Sequence, residues 1–356
     1  MQNISILDGL YLKRLDNIIT TNDNGIMISG SYFDKEIFIK TDPYLNMTWS
    51  KPSGNWGSDQ KPSSFQESGY SAAVTSSFQD GDNNYVNFVS ISEGSDVLIS
   101  SVLMVKLNQA GDEIGTSRIN HQYLLNADKT PDGGYVLLGN RLIKLNNNFS
   151  ISWEKDLSKH DYWECRLITT HDGGFAITGW NEAIDFEELM FLEKTNSLGD
   201  ILWIKKYPST GFSMEDAGYD LCELEDGGFL MVGRTGNQNY LQFYTDNFIV
   251  RTNESGDTLW TKKFGSNDYD NLDKIIYSSG NEFIISGNRM NDNTKNRKSF
   301  LVKIDDKGQI LDSCSMDEFE KLIYSPAGYF IKATKLNDKV RFEKIQPADL
   351  FISEVK

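Results

Sequence analysis

The chain has 356 residues, 39% hydrophobic and 12% aromatic, which is enough for a substantial core and argues against global disorder. Lys and Arg number 35 against 51 Asp and Glu, a formal net charge of −16, and such a surface repels phosphate backbones. This argues against nucleic acid or an anionic membrane as the main partner, and the acidity is read first as what keeps a large β protein in solution.

No run of 18 apolar residues is present to span a membrane, and the opening "MQNISILDGLYLKRLD" lacks a basic segment followed by an apolar core. The expectation is a cytoplasmic protein if Met1 is the native start, and an extracellular or cell-envelope protein if the chain is a mature fragment. Cys165, Cys222 and Cys314 stand far apart inside apolar runs, without metal or disulfide spacing, and are expected to be small buried core residues.

In chain order, one phrase keeps returning. A turn, such as Asp132-Gly133-Gly134, is followed by an apolar or aromatic residue that opens a strand: Ile26, Tyr85, Tyr135, Phe175, Phe229, Phe283 and Tyr329, spaced 40 to 59 residues apart. After each comes a basic residue closing an apolar run: Lys40, Lys106, Lys144, Lys194, Arg251, Lys303 and Lys344. In four repeats a Trp follows nine residues later, at Trp49, Trp153, Trp203 and Trp260. Each repeat reads as four short strands. In the fifth these are "GYDLCEL", "GFLMVG", "FIVRT" and "DTLWTKKF", joined by turns that supply positive-φ positions. No sustained 3.6 period appears, so helix should be nearly absent. Seven units of four strands predict an all-β fold, a seven-bladed β-propeller of four-stranded antiparallel blades filling residues 1–356 as a single domain. A single up-and-down barrel is the rival, and it leaves the repeat at every fourth strand unexplained.

The pattern "DGGY…G…LVK.D..G..LW.K.FG" resembles bacterial repeat proteins, often secreted or lipid-anchored, that are read as β-propellers and mostly lack a known activity. "TNSLGDILW" and "TNESGDTLW", with Gly four residues before Trp, are similar to the tryptophan-docking motif of quinoprotein-type propellers. Blades two, six and seven depart from it, with Gly115, Asp312 and Ser353 where Trp would stand. The resemblance implies blade geometry and carries no cofactor.

The turns between first and second strands are short, whereas the distance from the second-strand landmark to the basic one varies from 9 to 22 residues. Those connections, and the equally variable links between blades, emerge at one end of a four-stranded blade, so one face is plain and the other elaborated. Binding usually sits on such loops. The elaborated face offers Trp56, His160, Tyr162, Trp163, Trp180, Asp185, Glu187, Tyr240, Tyr244, Asp246 and Tyr269, aromatic platforms beside polar acceptors that suit sugars or peptides. Its centre is expected across blades four and five. The alternative for each aromatic is a plug packed within its own loop.

Asp80, Asp82 and Asn84 alternate like oxygen ligands of a Ca²⁺ loop, but the later Gly and distal Glu are missing, and a hairpin turn is the preferred reading. His121, His160 and His171 fall in unrelated places, so a three-His metal site is not expected. The recurring Lys and Arg landmarks are read as structural, with stems on the blade and charges reaching water. The chain is read as a monomeric, non-enzymatic binding propeller with an aromatic, acidic face for a glycan or protein partner, needing no cofactor. The alternative is a propeller hydrolase acting on glycans with axial carboxylates, for which "IDFEE" and "MEDAGYD" supply acid pairs.

Overall fold

The computed structural model describes residues 12–32, 35–52, 70–93, 100–157, 162–182, 188–209, 216–239, 242–266, 268–279, 282–291, 294–317, 319–336 and 339–351. The first blade runs β1 (Arg14–Thr20), β2 (Ile26–Tyr32), β3 (Lys35–Thr41), β4 (Met47–Pro52). The second runs β5 (Tyr70–Gln79), β6 (Tyr85–Glu93), β7 (Ser101–Leu107), β8 (Glu113–Asn120), and the third β9 (Asn126–Lys129), β10 (Tyr135–Leu138), β11 (Arg141–Leu145), β12 (Ile151–Asp156). In the fourth are β13 (Tyr162–Thr169), β14 (Phe175–Glu182), β15 (Glu188–Thr195), β16 (Ile201–Lys206). The fifth holds β17 (Ala217–Glu223), β18 (Phe229–Asn239), β19 (Gln242–Thr252), β20 (Thr258–Phe264). The sixth holds β21 (Tyr269–Ser279), β22 (Glu282–Met290), β23 (Arg297–Asp305), β24 (Ile310–Met316). Of the seventh, β25 (Lys321–Ser325), β26 (Tyr329–Leu336) and β27 (Lys339–Ile345) lie among the described residues, followed by a single helical turn, α1 (Pro347–Leu350).

All neighbours within a blade pair antiparallel in chain order. Every second-strand landmark opens its strand, except Phe283, which is one residue inside β22. Two compact units divide the chain: residues 1–154 with 319–347, and residues 155–318 with 348–356. In the first, Met27, Phe38 and Tyr85 pack between blades one and two, and Ile26, Ile28 and Phe342 between blades seven and one. Neighbours on β2 thus serve opposite faces, and both faces are buried. In the second unit Leu192, Phe229 and Phe248 fill one seam, and Leu230, Ile249 and Phe283 the next. Sheets buried on both sides explain why the middle strands read as continuous apolar runs rather than an alternation.

The turn and the basic landmark are two halves of one contact. Lys144 Nζ lies 2.8 Å from Asp132 Oδ2 and 2.9 Å from the Leu145 carbonyl, and Lys194 repeats this with Asp172 and Thr195. Lys40 pairs with Asp23, and Arg251 with Asp226. The expectation that these charges reach water is corrected: Lys40, Lys144, Lys194 and Arg251 are buried and meet a turn carboxylate instead. A buried cation is tolerated only when paired and hydrogen-bonded. Although burial pushes Asp132 up, the Lys144 ammonium, the Thr130 hydroxyl and the Gly134 N–H together hold it down at about 2. The second turn glycine follows from the same geometry. A Cβ on Gly174 would sit 2.2 Å from the Thr195 carbonyl oxygen and 2.8 Å from Lys194 Nζ. In blade two Asn84 occupies that place, and Lys106 is displaced to Asp80, at 2.7 Å.

Trp49, Trp203 and Trp260 stand directly across from Lys40, Lys194 and Arg251, which fixes the nine-residue spacing. Each docks on the third-to-fourth turn of the following blade. Trp49 Nε1 donates to the Gln109 carbonyl and Trp260 Nε1 to that of Asp306, both at 2.9 Å. A Cβ on Gly111, Gly256 or Gly308 would come within 2.9 Å of the docked indole. Two residues after the Trp, Lys51 and Lys205 pair with Asp112 and Asp257 beside those glycines. Of the cysteines, Cys165 is buried as expected, while Cys222 and Cys314 are only half-buried on β17 and β24.

Three substitutions check this framework. Trp203→Ala should cost about 3–5 kcal/mol in urea unfolding. Gly173 (φ 78°) has open space around its missing Cβ, so Gly173→Ala should cost about 1–2 kcal/mol of backbone strain. Gly174→Ala, at a residue without a positive φ, should cost more, because its Cβ meets the Thr195 carbonyl and displaces the ion pair.

Candidate functional site

The variable connections between second and third strands are mostly not loops. In blade five, β18 and β19 stay paired out to Asn239 and Gln242, so the 22-residue spacing becomes a long hairpin. Blade four pairs to Glu182 and Glu188, and blade six to Met290 and Arg297. Loop counting failed here because a strand continues past the blade wherever its partner does, and composition alone does not separate that from a loop.

Past Phe264 the outer strand β20 ends, and the start of β21 takes its place beside β19 through one parallel bridge, Thr245 to Tyr269. Thr245 Oγ1 donates to the Asp270 carbonyl at 3.0 Å. Ser266 donates through both its N–H and its hydroxyl to Asp270 Oδ2, and Arg289 closes on Asp270 Oδ1 at 2.6 Å. The result holds Tyr244 and Tyr269 together, with ring centroids 6.0 Å apart and planes at 65°. Both residues are half-buried, and beside them Asn291 Nδ2 donates to Asp268 Oδ1 at 2.8 Å. Asp246 is buried and paired with Lys263 at 3.3 Å, a structural place for that residue.

In blade four, Trp163 pairs across the ladder with Trp180, and Tyr162 with Asn181, next to a bulge in β13. Trp180 is half-buried. Trp56, His160, Asp185, Glu187 and Tyr240 lie outside the described residues. The structure therefore brings Tyr244 to Tyr269 across the seam of blades five and six, and places Trp163 opposite Trp180 within the ladder of blade four.

Asp80, Asp82 and Asn84 form the blade-two turn. Asp80 Oδ1 accepts the N–H groups of Asp82 and Asn84, and Lys106 occupies the side of Oδ2 that a cation would take. Asp216, from "MEDAGYD", is fully buried and accepts the Ser209 N–H at 3.1 Å. His171 is exposed in its turn beside Glu223.

Sequence reasoning missed two acid clusters, each built around an acid of a first strand, Asp16 on β1 and Asp273 on β21. In blade one, Glu36 and Asp16 share Arg14, whose guanidinium also reaches the Ala72 carbonyl, and Asp16 accepts the Val74 N–H at 3.0 Å. Burial and the adjacent Asp16 carboxylate push Glu36 well above its ordinary value. In blade six, Asp273 accepts from the Asn271 and Asn288 amides, and burial lifts it to about 6 against the pull of Arg297. The available signal was an acid placed just after a Leu in a first-strand segment, Asp16 in "RLDNIIT" and Asp273 in "YDNLDKIIYSS".

No protein-family model matches the chain, and no curated protein matches it. Solved structures do. Drosophila Plexin A in complex with Semaphorin 1b aligns over 96% of this chain and 86% of its own, at TM-score 0.54 and 8% identity. BBS1N in complex with ARL6DN aligns over 95% and 93%, at 0.53 and 10%. The β-propeller domain of the Trilobed protease from Pyrococcus furiosus aligns over 96% and 93%, at 0.50 and 6%. With the blades described above, these likenesses show the fold: an all-β, seven-bladed β-propeller.

Asp273 gives a pH test. Its ordinary value is 3.8, so the proton it holds in the fold stabilises fully below that pH, and the contribution is lost as pH rises through about 6. Relative to Asp273→Asn, the wild type should lose about 3 kcal/mol of unfolding free energy between about pH 4 and pH 8. Parallel curves for the two proteins would remove the assignment.

Proposed function

We propose that this propeller is a binding scaffold rather than an enzyme, and that its extended second-to-third hairpin ends receive a glycan or protein partner. One observation carries the reading: the Tyr244–Tyr269 ring pair, braced across the seam of blades five and six by the Asp270 network. Rigid tyrosines present an apolar face with a polar rim at small entropic cost, which suits stacking on a sugar ring or anchoring a side chain. The repeated features are all consumed in holding blades together, and a ligand site is expected where the repeat breaks, as it does here. Two of the similar structures are complexes with protein partners, Semaphorin 1b and ARL6DN, which supports an interaction role.

The hydrolase alternative draws less support. Asp216 and Asp270 cap the chain between blades, and Asp246 is paired with Lys263. A monomer at the bacterial cell envelope belongs to the same proposal, on the strength of the resemblance to secreted and lipid-anchored repeat proteins.

The test is a polysaccharide and surface-protein array run beside a glycosidase screen. Tyr244→Ala and Tyr269→Ala should each melt within a few degrees of wild type and weaken capture about tenfold or more, the loss of roughly 1.4 kcal/mol or more. Capture at wild-type affinity in both variants places the binding face elsewhere, and turnover in the screen overturns the non-enzymatic reading.

A further inference from the structure

The rung at which β20 ends carries polar groups that the fold itself does not use. Asn247 stands on β19 between Arg234 of β18 and Phe264, the last residue of β20. Residues directly opposite in a ladder share a face, and so do residues two apart on a strand. Asn247 therefore faces the same way as Thr245 and Ile249, toward blade six, where Thr245 meets the Asp270 carbonyl and Ile249 packs with Phe283. It lies two residues from the bridge that brings Tyr269 to β19.

Asn247 is 1% exposed, and neither its Nδ2 nor its Oδ1 has a hydrogen-bond partner in the chain. Arg234 is half-buried, its Nε is likewise unpartnered, and among the described residues no carboxylate pairs with it. Its guanidinium is held over the Tyr219 ring, 5.7 Å from the centroid. By contrast Lys106 and Arg141, also half-buried, meet Asp80 and Glu154. A buried amide without partners loses its hydration and gains nothing in return.

Packing does not demand that amide. Four residues before the basic landmark, blades two, four and seven carry Val102, Met190 and Val340, all buried. Where the equivalent place is polar in other blades, at Glu36, Asn140 and Ser299, the chain supplies a partner in Arg14, Tyr123 and Asn288. Blade five alone breaks the repeat here with a polar group left over, at a cost in stability, as positions kept for binding do.

We propose that Arg234 and Asn247 form a binding site for a carboxylate with a hydroxyl close by, as a sugar acid carries. The site deepens the binding-scaffold reading and rests on it. A guanidinium takes a carboxylate through two parallel N–H donors, and Tyr219 holds its plane. The amide offers donors and an acceptor, which a hydroxyl answers with its lone pair and its proton. A neutral sugar leaves the guanidinium without a counter-ion, and a simple carboxylate leaves Asn247 Oδ1 without a donor.

Galacturonate, galactose and acetate separate these contributions, because galactose lacks the carboxylate and acetate the hydroxyls. In protein-observed NMR titrations galacturonate should bind at least about tenfold more tightly than either, with shift changes centred on Arg234 and Asn247. Trigalacturonate binding more tightly still assigns the group to a glycan chain, and equal binding assigns it to a free sugar acid; both support the site. Asn247→Val, which copies blades two and seven, should melt at or above wild type and bind galacturonate about tenfold or more weakly, and Arg234→Met should weaken binding as much. No binding of galacturonate, equal binding of galactose or acetate, or shift changes centred elsewhere would overturn the proposal. So would unchanged affinity in Asn247→Val, which means that water alone meets the amide. Capture of neutral glycans that is lost in Tyr244→Ala, without binding of galacturonate, removes this site and leaves the scaffold reading standing. The wild-type titrations decide the matter even if a variant does not fold.

Discussion

A buried ammonium or guanidinium beneath a hairpin turn is the constraint on which the regular blades depend. The third strand ends in Lys40, Lys144, Lys194 or Arg251 with its charge inside the sheet stack, where an unpaired cation would be untenable. Its partner has to come from the first hairpin, because that turn lies directly over the strand end. The turn must then carry Asp at a set place, and no Cβ immediately after the positive-φ residue, since the cation and a carbonyl fill that volume. Blade two shows the same logic under a different substitution: Asn84 stands where the other turns have their second glycine, and Lys106 pairs with Asp80. The recurring phrase is thus the footprint of a single ion pair.

The same strand end sets the next contact. The residue across from the cation is Trp in the regular blades, and its indole rests on a turn glycine of the following blade, with a lysine and aspartate pair alongside. Intrablade and interblade cohesion therefore meet at neighbouring positions on β3-type and β4-type strands. The apolar seams add the bulk of the burial, with each second strand serving both of its neighbours in turn. Little in these positions is left over for function, which directs attention to places where the pattern fails.

Those places are of two kinds. At one end of the blades, hairpins outgrow the sheet, and in blade five this coincides with the early end of β20 and the entry of β21. Tyr244 and Tyr269 come together because of that substitution of one strand for another. At the other end, in the first compact unit, three edge strands finish beside one another around a depression open to solvent. The two are different chemically: the first is an aromatic pair beside Asp268, Asn291 and Arg289, and the second is lined by Ile19, Thr20, Phe78, Gln79, Ile323 and Tyr324.

The sequence by itself determined the repeat, the strand count of the regular blades and the start of nearly every second strand, because hairpin turns and ion pairs act over short, constant spacings. It also determined that Trp203 and Trp260 serve the seams, since equal spacing from a fixed landmark leaves little freedom. Tertiary structure decided the rest. Whether Lys144 reaches water or an aspartate depends on a turn twelve residues away. Whether a 22-residue spacing is a loop or a hairpin depends on cross-strand pairing, and the meeting of Tyr244 with Tyr269 depends on where β20 stops. Spacing records contacts that recur, whereas a pair formed once, between residues on different blades, leaves no period to read.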